Sequence, residues 1–278
     1  MDNFETLIFS KDRPLQLDLT LRTYEKHCKS NLYVKGYVLY EASNEKFEAQ
    51  YRELEERYED FVFWREMDFK TDVCIILKDE DYVFFVVDDT VFLRDFSLEE
   101  IVKTLDLYRG IIGFSLRLGK NTTHCYPLNI ENDIPEFKSI VQKEVYGFDW
   151  TQAGAGDFSY PLELSSSVYR VSDIWHILDK TIYENPNSLE WVLSRNAVTF
   201  AKNMRFLACS NKSLAVSLPL NRVQTVNNNR VGKDEKYSVE NLSKIFSEGM
   251  VVDPTIFENF TSNGCHQEID LKFMKKDW

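Results

Sequence analysis

Tyr82-Val83-Phe84-Phe85-Val86-Val87 is an unbroken apolar run that stops at Asp88-Asp89-Thr90. Aromatic and β-branched residues without alternation describe a strand covered on both faces, the pattern of a central strand in a parallel sheet. Such a strand needs helices above and below it, so the surrounding sequence should alternate strand and helix. Upstream, residues 6–10 form a short apolar run, and Pro14 suits the first turn of a helix. The stripe of that helix is Leu17, Leu21, Tyr24 and Cys28. Residues 34–40 read as the next strand. Ser43 can cap a helix whose stripe is Phe47, Tyr51, Leu54 and Tyr58, and residues 61–64 form a third strand. Residues 73–77 read as the end of a helix. Downstream, Ser97-x-x-Glu100 is a capping box opening a helix through Leu107, and residues 110–116 are another strand.

The remainder is less regular. A loop-rich stretch over residues 120–160 includes Gly154-Ala155-Gly156-Asp157, whose glycine pair reads as a flexible turn. A strand at 166–170 and a helix over 172–183 follow. Pro186-Asn187-Ser188 opens another helix running to about 201. Residues 213–218 read as a strand and 238–249 as a helix, and Ile269, Leu271 and Phe273 alternate as in a strand. Asn227-Asn228-Asn229 reads as a mobile loop. No repeat, linker or composition break divides the chain, so the expectation is one α/β domain over 1–278 with a mainly parallel sheet.

Composition sets the outer bounds. The 278 residues carry 33 Lys+Arg against 45 Asp+Glu, a formal net charge of −12. An apolar fraction of 44% is too high for a chain that cannot collapse, and 10 Gly with 7 Pro exclude collagen-like and low-complexity classes. The acidic balance argues against nucleic-acid binding, which needs cations to displace phosphate counterions. Five cysteines, without a CxxC pair, read as reduced thiols in a cytosolic compartment rather than a zinc site or disulfide framework. Met-Asp-Asn-Phe-Glu lacks the basic and apolar regions of a signal peptide. The longest apolar run, residues 82–87, is far short of the roughly 18 residues a spanning helix requires.

Three polar clusters fall at expected strand ends: residues 10–13, 41–44 and 88–90. In open α/β sheets, ligands bind beyond the carboxyl ends of the strands. Adjacent carboxylates repel and are costly to desolvate, and a hard cation such as Mg²⁺ or Mn²⁺ offsets that cost while sharing oxygens with a phosphate. Asp88-Asp89 is therefore the leading site candidate. An aspartyl-phosphate chemistry would want Asp-x-Asp, which Thr90 breaks. No G-x-G-x-x-G or P-loop occurs, so a diphosphate would be held through a metal.

Residues 82–92 resemble the hydrophobic strand and DxD-type motif of GT-A fold glycosyltransferases. The opening Leu7-Ile8-Phe9-Ser10-Lys11-Asp12-Arg13-Pro14 is similar to that of glycosyltransferase family 2. Ser166-Ser167-Val168-Tyr169-Arg170 and then Pro186-Asn187-Ser188-Leu189-Glu190-Trp191 resemble a later acceptor-side strand and a helix start with an acidic motif. The resemblance covers residues 1–200 in outline and is strongest over the first 117.

This resemblance implies a Rossmann-like GT-A fold, with a nucleotide-sugar-binding half at about 1–117 and a smaller acceptor-binding half at about 118–278. It implies transfer of a sugar from a nucleoside-diphosphate donor to a glycan or lipid-linked acceptor, inverting, with Mn²⁺ or Mg²⁺ as cofactor. Ser10, Arg13 and Glu41 would hold the nucleoside, and Asp88 and Asp89 the ribose and metal. His266 would complete the metal shell with Asp89. Glu190 would be the base, with Asp157 or Asp149 as rivals, because Trp191 stands where a second acid is usual. The implied location is cytoplasmic, with peripheral membrane contact through the acceptor. Arg117 and Lys120 are further candidates for phosphate or acceptor contacts. Tyr126, Tyr146, Trp150, Phe158 and Tyr160 are candidates for stacking on sugar. Rival readings are a sugar-nucleotide nucleotidylyltransferase, which would want a glycine-rich loop after the first strand, and a catalytically silent glycan- or nucleotide-binding module.

Overall fold

A computed structural model of the chain describes residues 3–30, 36–140, 144–221 and 235–278. Residues 34 and 35 of the second expected strand, and the loop at 227–229, lie outside these.

The first half winds as expected. Strand β1 (Phe4–Lys11) leads into α1 (Pro14–His27), with Pro14 in its first turn. Then come β2 (Gly36–Glu41), α2 (Glu45–Arg57), β3 (Phe61–Arg65), α3 (Phe69–Leu77) and β4 (Tyr82–Val87). The cap of α2 is Asn44 rather than Ser43: its side chain accepts from the amides of Lys46 and Phe47, while the Ser43 amide donates to Asp12 Oδ1. A short β5 (Thr90–Phe92) follows, then α4 (Leu98–Leu107), capped by Ser97, and β6 (Ile111–Ser115).

The loop-rich stretch holds more sheet than its sequence suggests. It contains two-residue strands β7 (His124–Cys125), β8 (Ile130–Glu131) and β9 (Lys138–Ser139), and the five-residue β10 (Val145–Asp149). Beyond it lie β11 (Ser166–Arg170), α5 (Val171–Lys180), α6 (Pro186–Asn196), β12 (Phe206–Ser210) and β13 (Ala215–Ser217). The described chain ends with α7 (Val239–Ser247), β14 (Met250–Val252) and β15 (Phe273–Lys275). Strand β15 starts at Phe273, so the expected alternation from Ile269 is strand only at its end.

Nine strands form one sheet in the order β3-β2-β1-β4-β11-β6-β12-β10-β9. The first four are mutually parallel. Strand β11 runs antiparallel between β4 and β6, β12 is parallel to β6, and β10 and β9 close that side antiparallel. Strands from the first and second halves of the chain are thus interleaved. Alternate residues of the central strands feed two cores. Ile8, Phe84 and Val86 pack with α1, α2, α4 and α7 on one face; Leu7, Phe9, Val83 and Phe85 pack with α3, α5 and α6 on the other. Burial on both faces explains why β4 has no polar alternation.

The chain steps outward from β1 to β2 and β3, then returns through α3 to the other flank of β1 as β4. The β1/β4 boundary is therefore the point at which the winding reverses. A crevice opens beyond the carboxyl ends of strands at such a point.

Candidate active site

The carboxyl ends of β1 and β4 carry Ser10 to Arg13 and Asp88-Asp89, and the structure joins them. Asp88 is buried, and both of its oxygens are engaged. Oδ2 accepts from Ser10 Oγ at 2.9 Å and from the Lys11 amide at 3.2 Å, and Oδ1 accepts from Arg13 Nη1 at 3.1 Å. Because Ser10 gives its proton to Asp88, the Tyr51 hydroxyl, 2.7 Å from Ser10 Oγ, is the donor there; it accepts in turn from the Arg13 amide at 3.3 Å. Arg13 also binds Asn221, through Nε to Oδ1 at 2.9 Å and through Nη2 to its carbonyl. Tyr51 lies within an apolar stripe and Asn221 stands 208 residues from Arg13, so neither carried a sequence signal.

Asp89 differs from its neighbour. Its Oδ2 lies 3.8 Å from Arg13 Nη1, while its Oδ1 is buried without a hydrogen-bond partner. Burial, reinforced by the Asp88 charge and opposed by Arg13, lifts its pKa to about 6. Thr90 turns away, donating to the Ser165 carbonyl at 2.8 Å. The Asp89 carbonyl accepts from the Leu218 amide at 2.8 Å, which brings β13 alongside. A parallel bridge then ties Ser217 to His266. His266 Nδ1 is a second buried atom without a partner. Burial, helped by Arg117, lowers the His266 pKa to about 3, so its ring is neutral. Glu41 ends β2, one strand further out, with Lys11 Nζ at 2.7 Å from its carboxylate.

On the other flank of β4, the register of β11 against β6 pairs Ser167 with Ser115. This sets Glu163, just before β11, beside Arg117, just after β6: Arg117 Nε lies 3.3 Å from Glu163 Oε2, and both are buried. Glu163 accepts further from the Ser165 amide and Ser167 Oγ. The Arg117 charge also reaches Glu190 and Asp157. Glu190 sits just past the first turn of α6, whose capping box is built by Asn185 and Ser188. Burial lifts the Glu190 carboxyl to about 7; Arg117 opposes the rise, while Glu163 and Asp89 contribute to it. Asp157 Oδ2 and its amide both meet the Asn132 side chain at 3.0 Å. Four successive strand ends thus present Arg13, Asp88-Asp89, Glu163 and Arg117 along one edge, with Glu190, Asp157 and His266 around them.

Other expectations change. Asp149 ends β10 opposite Phe206, which pairs with Ile111 at the start of β6. It therefore lies at the opposite edge of the sheet, bound to Arg205 and Thr151, and is no rival base. Trp150 and Phe158 are buried core, so they offer no face to a sugar. The Tyr146 ring is covered by Lys120 Nζ, 3.4 Å from its centroid. Tyr126 is buried and donates to Glu268. Tyr160 remains beside Glu190. The glycine pair is tightly packed rather than flexible: a Cβ at Gly154 would stand 2.1 Å from Asp133 Oδ2. Glu163 carried no reading in the sequence.

Among the described residues no three His, Cys, Asp or Glu side chains converge as a metal cage. Two cavities, of about 250 and 320 Å³, lie elsewhere, one beside α1 and one beside α4. No described helix is long and apolar enough to cross a membrane.

A mostly parallel α/β sheet with two reversed strands, β11 and β10, and acidic residues at its winding reversal is the GT-A-like glycosyltransferase fold. No family model matches the chain. It is 28% identical over 285 residues to the bifunctional glycosyltransferase pgtA of Dictyostelium discoideum, covering 92% of this chain and 37% of that protein. The chain thus spans little more than a third of that curated relative. The crystal structure of S. aureus TarS superposes with a TM-score of 0.50 at 14% identity, over 78% of this chain and 36% of TarS. A TarS fragment, residues 1–349, in complex with UDP-GlcNAc gives 0.49 at 12% identity, over 77% and 58%.

Proposed function

We propose that the chain transfers a sugar from a nucleoside-diphosphate donor to a hydroxyl of a glycan or lipid-linked acceptor, with inversion. The observation that carries this reading is the placing of Glu190 at the same sheet edge as Asp88-Asp89, although 101 residues separate Asp89 from it in sequence. One acidic group at the winding reversal suits the donor; another, across the edge and tuned near neutrality, suits the acceptor. The similarity to pgtA over nearly the whole chain supports the same class of reaction.

Ser10, Arg13 and Glu41 line the β1/β2 side, where a nucleoside would rest. Asp88 holds Arg13 in place, which leaves Asp89 as the acid facing the diphosphate. Asp89 Oδ1 and His266 Nδ1, both buried and unpartnered, fit a divalent cation of the Mn²⁺ or Mg²⁺ type, with donor phosphate oxygens supplying further ligands. Such an ion, when bound, stabilises the charge that builds on the departing diphosphate. Glu190 accepts the proton of the acceptor hydroxyl as that oxygen attacks the anomeric carbon; a carboxylate with a pKa near the working pH suits this task. Asp157, fixed by Asn132, is placed to orient the acceptor. We assign the activity to the cytoplasm, with peripheral membrane contact only through the acceptor, and to a single catalytic unit built from residues 1–278.

A thermal-shift panel of UDP, GDP, dTDP and CMP sugars with and without Mn²⁺ tests the donor and metal assignments, because a ligand of the native state raises its apparent stability. The expected result is one nucleotide class that stabilises only with Mn²⁺, lost in Asp89→Ala and weakened in His266→Ala. Equal stabilisation with and without metal in all three proteins would overturn the metal assignment. Glu190→Gln should keep donor binding and lose transfer; a protein with donor binding but no turnover before mutation would instead be a silent binding module.

A further inference from the structure

Asn221 has no part in the scheme above, yet four hydrogen bonds converge on it. Its Oδ1 accepts from Arg13 Nε at 2.9 Å and from Gln16 Nε2 at 3.2 Å. Its Nδ2 donates to the Tyr237 carbonyl at 2.8 Å, and its own carbonyl accepts from Arg13 Nη2. Two donors on one side and a carbonyl on the other fix which way the amide faces. The backbone delivers it there. The Leu218 amide binds the Asp89 carbonyl and the Leu220 amide binds the Leu218 carbonyl, each at 2.8 Å, and both leucines are buried. The Asp89 main chain thus anchors the segment whose Asn221 grips the arginine facing the Asp89 side chain.

The grip is a fork. Arg13 Nε and Nη2 meet the side-chain and main-chain oxygens of one residue. A guanidinium is planar and rigid, so fixing that edge fixes its third nitrogen as well. Nη1 then stands 3.1 Å from Asp88 Oδ1 and 3.8 Å from Asp89 Oδ2. The single hydrogen bond to Asp88 would leave the plane free to turn about it. Of the five N–H groups of Arg13, those engaged leave one on Nη1 and one on Nη2 without a hydrogen bond among the described residues.

We propose that Asn221 is a positioning residue of the donor site: it locks the plane of Arg13, whose two remaining N–H groups meet diphosphate oxygens of the donor. Asn221 itself touches no reacting atom. This rests on the reading of the edge as a donor site; the lock itself is measurable without a donor.

Arginine side-chain ¹⁵N NMR, with the Arg13 Nε–H correlated to its own backbone, tests the lock in the ligand-free protein. Asn221→Ala should speed exchange of that proton with water by about tenfold or more, the scale of one hydrogen bond to a charged group. Asn221→Asp keeps the acceptor oxygen and should restore slow exchange. Unchanged exchange in a folded Asn221→Ala protein overturns the proposal, and so does fast exchange in Asn221→Asp. Should Asn221→Ala lose its cooperative thermal transition, Asn221→Ser, polar but too short to reach Arg13 Nε, is held to the same result. Calorimetry with UDP, GDP, dTDP and CDP in Mn²⁺ buffer tests the consequence. For the nucleotide that the wild type binds, Asn221→Ala and Arg13→Lys should each weaken binding about tenfold. The double variant should bind no more weakly than Arg13→Lys alone, because Asn221 acts through Arg13. Losses that add would make Asn221 merely structural and overturn the proposal. A wild type that binds none of the four would remove the donor reading, and the donor role of Arg13 with it, yet leave the exchange result standing, so the two failures are distinguishable.

Discussion

Arg13 Nη1 lies 3.1 Å from Asp88 Oδ1 and 3.8 Å from Asp89 Oδ2, so a single guanidinium serves two consecutive carboxylates from 75 residues away. Its side chain is 11% exposed and that of Asp88 5%. Breaking a buried pair by deleting one partner costs about 3–5 kcal/mol, because the remaining charge is left uncompensated. Arg13→Gln should therefore lower the free energy of unfolding by about that amount at pH 8, measured by urea denaturation. Burial raises Asp89 to about 6 even with Arg13 present. Without Arg13 the Asp89 carboxyl protonates at still higher pH, so the deficit should shrink as pH falls from 8 towards 6. A deficit independent of pH would show that Arg13 acts by packing alone.

Glu190 sets the expected pH dependence of transfer. A base must be deprotonated to work, and its carboxyl titrates at about 7, raised chiefly by burial. The apparent second-order rate constant should therefore fall tenfold per pH unit below about 6 and level off above about 8. Glu190→Gln should lower transfer by about 10²–10⁴, with donor affinity unchanged in calorimetry. A rate that is flat from pH 5 to 8 would move the base role elsewhere, with Asp157, fixed by Asn132, as the next candidate.

The parts of this fold that sequence reveals are those where one local rule operates. Residues 82–87 are apolar because they are buried on both sides, and Ser97 and Pro14 occupy their helix starts for reasons that a few neighbours supply. Strands β10 and β12 escaped because local preference runs against them: Gly147 sits inside the first and Ala208 inside the second, both residue types depleted in strands. Sheet neighbours supply what propensity does not, with Gly147 facing Ala208 across the register. The site divides in the same way. Asp88-Asp89 stands out because two acids follow an apolar run. Glu163 in Pro-Leu-Glu-Leu has no such contrast, and its meaning comes from β11 lying against β6. Asn221 and Tyr51 are likewise defined only by Arg13, which reaches them through the fold.

Glu5 offers a check on buried charge away from the site. It is 7% exposed, and its Oε1 has no partner. Burial, with Glu80 adding to it, raises its carboxyl to about 8. Because the folded-state value lies above the unfolded one, the folded chain binds more protons between about pH 4.5 and 8, and stability falls as pH rises through that window. Glu5→Gln removes the titration. It should match the wild type near pH 4 and exceed it by about 1–3 kcal/mol at pH 9, the usual cost of an unsatisfied buried group. Equal stabilities at pH 9 would mean that Glu5 finds water in the folded state.

Gly156 tests whether the Asp157 clamp matters to function. Its φ of +132° is one that L side chains rarely adopt. A Cβ built there would stand 2.1 Å from Asn132 Oδ1, the atom that accepts from the Asp157 amide at 3.0 Å. Gly156→Ala must therefore both strain the backbone and displace Asn132, at a cost of about 1–3 kcal/mol. Asn132→Ala removes the same two hydrogen bonds without touching the backbone. If Asp157 orients the acceptor, both variants should raise the acceptor KM in parallel while donor affinity stays fixed. A loss of stability in Gly156→Ala with unchanged acceptor KM would confine the clamp to folding and take Asp157 out of the acceptor site.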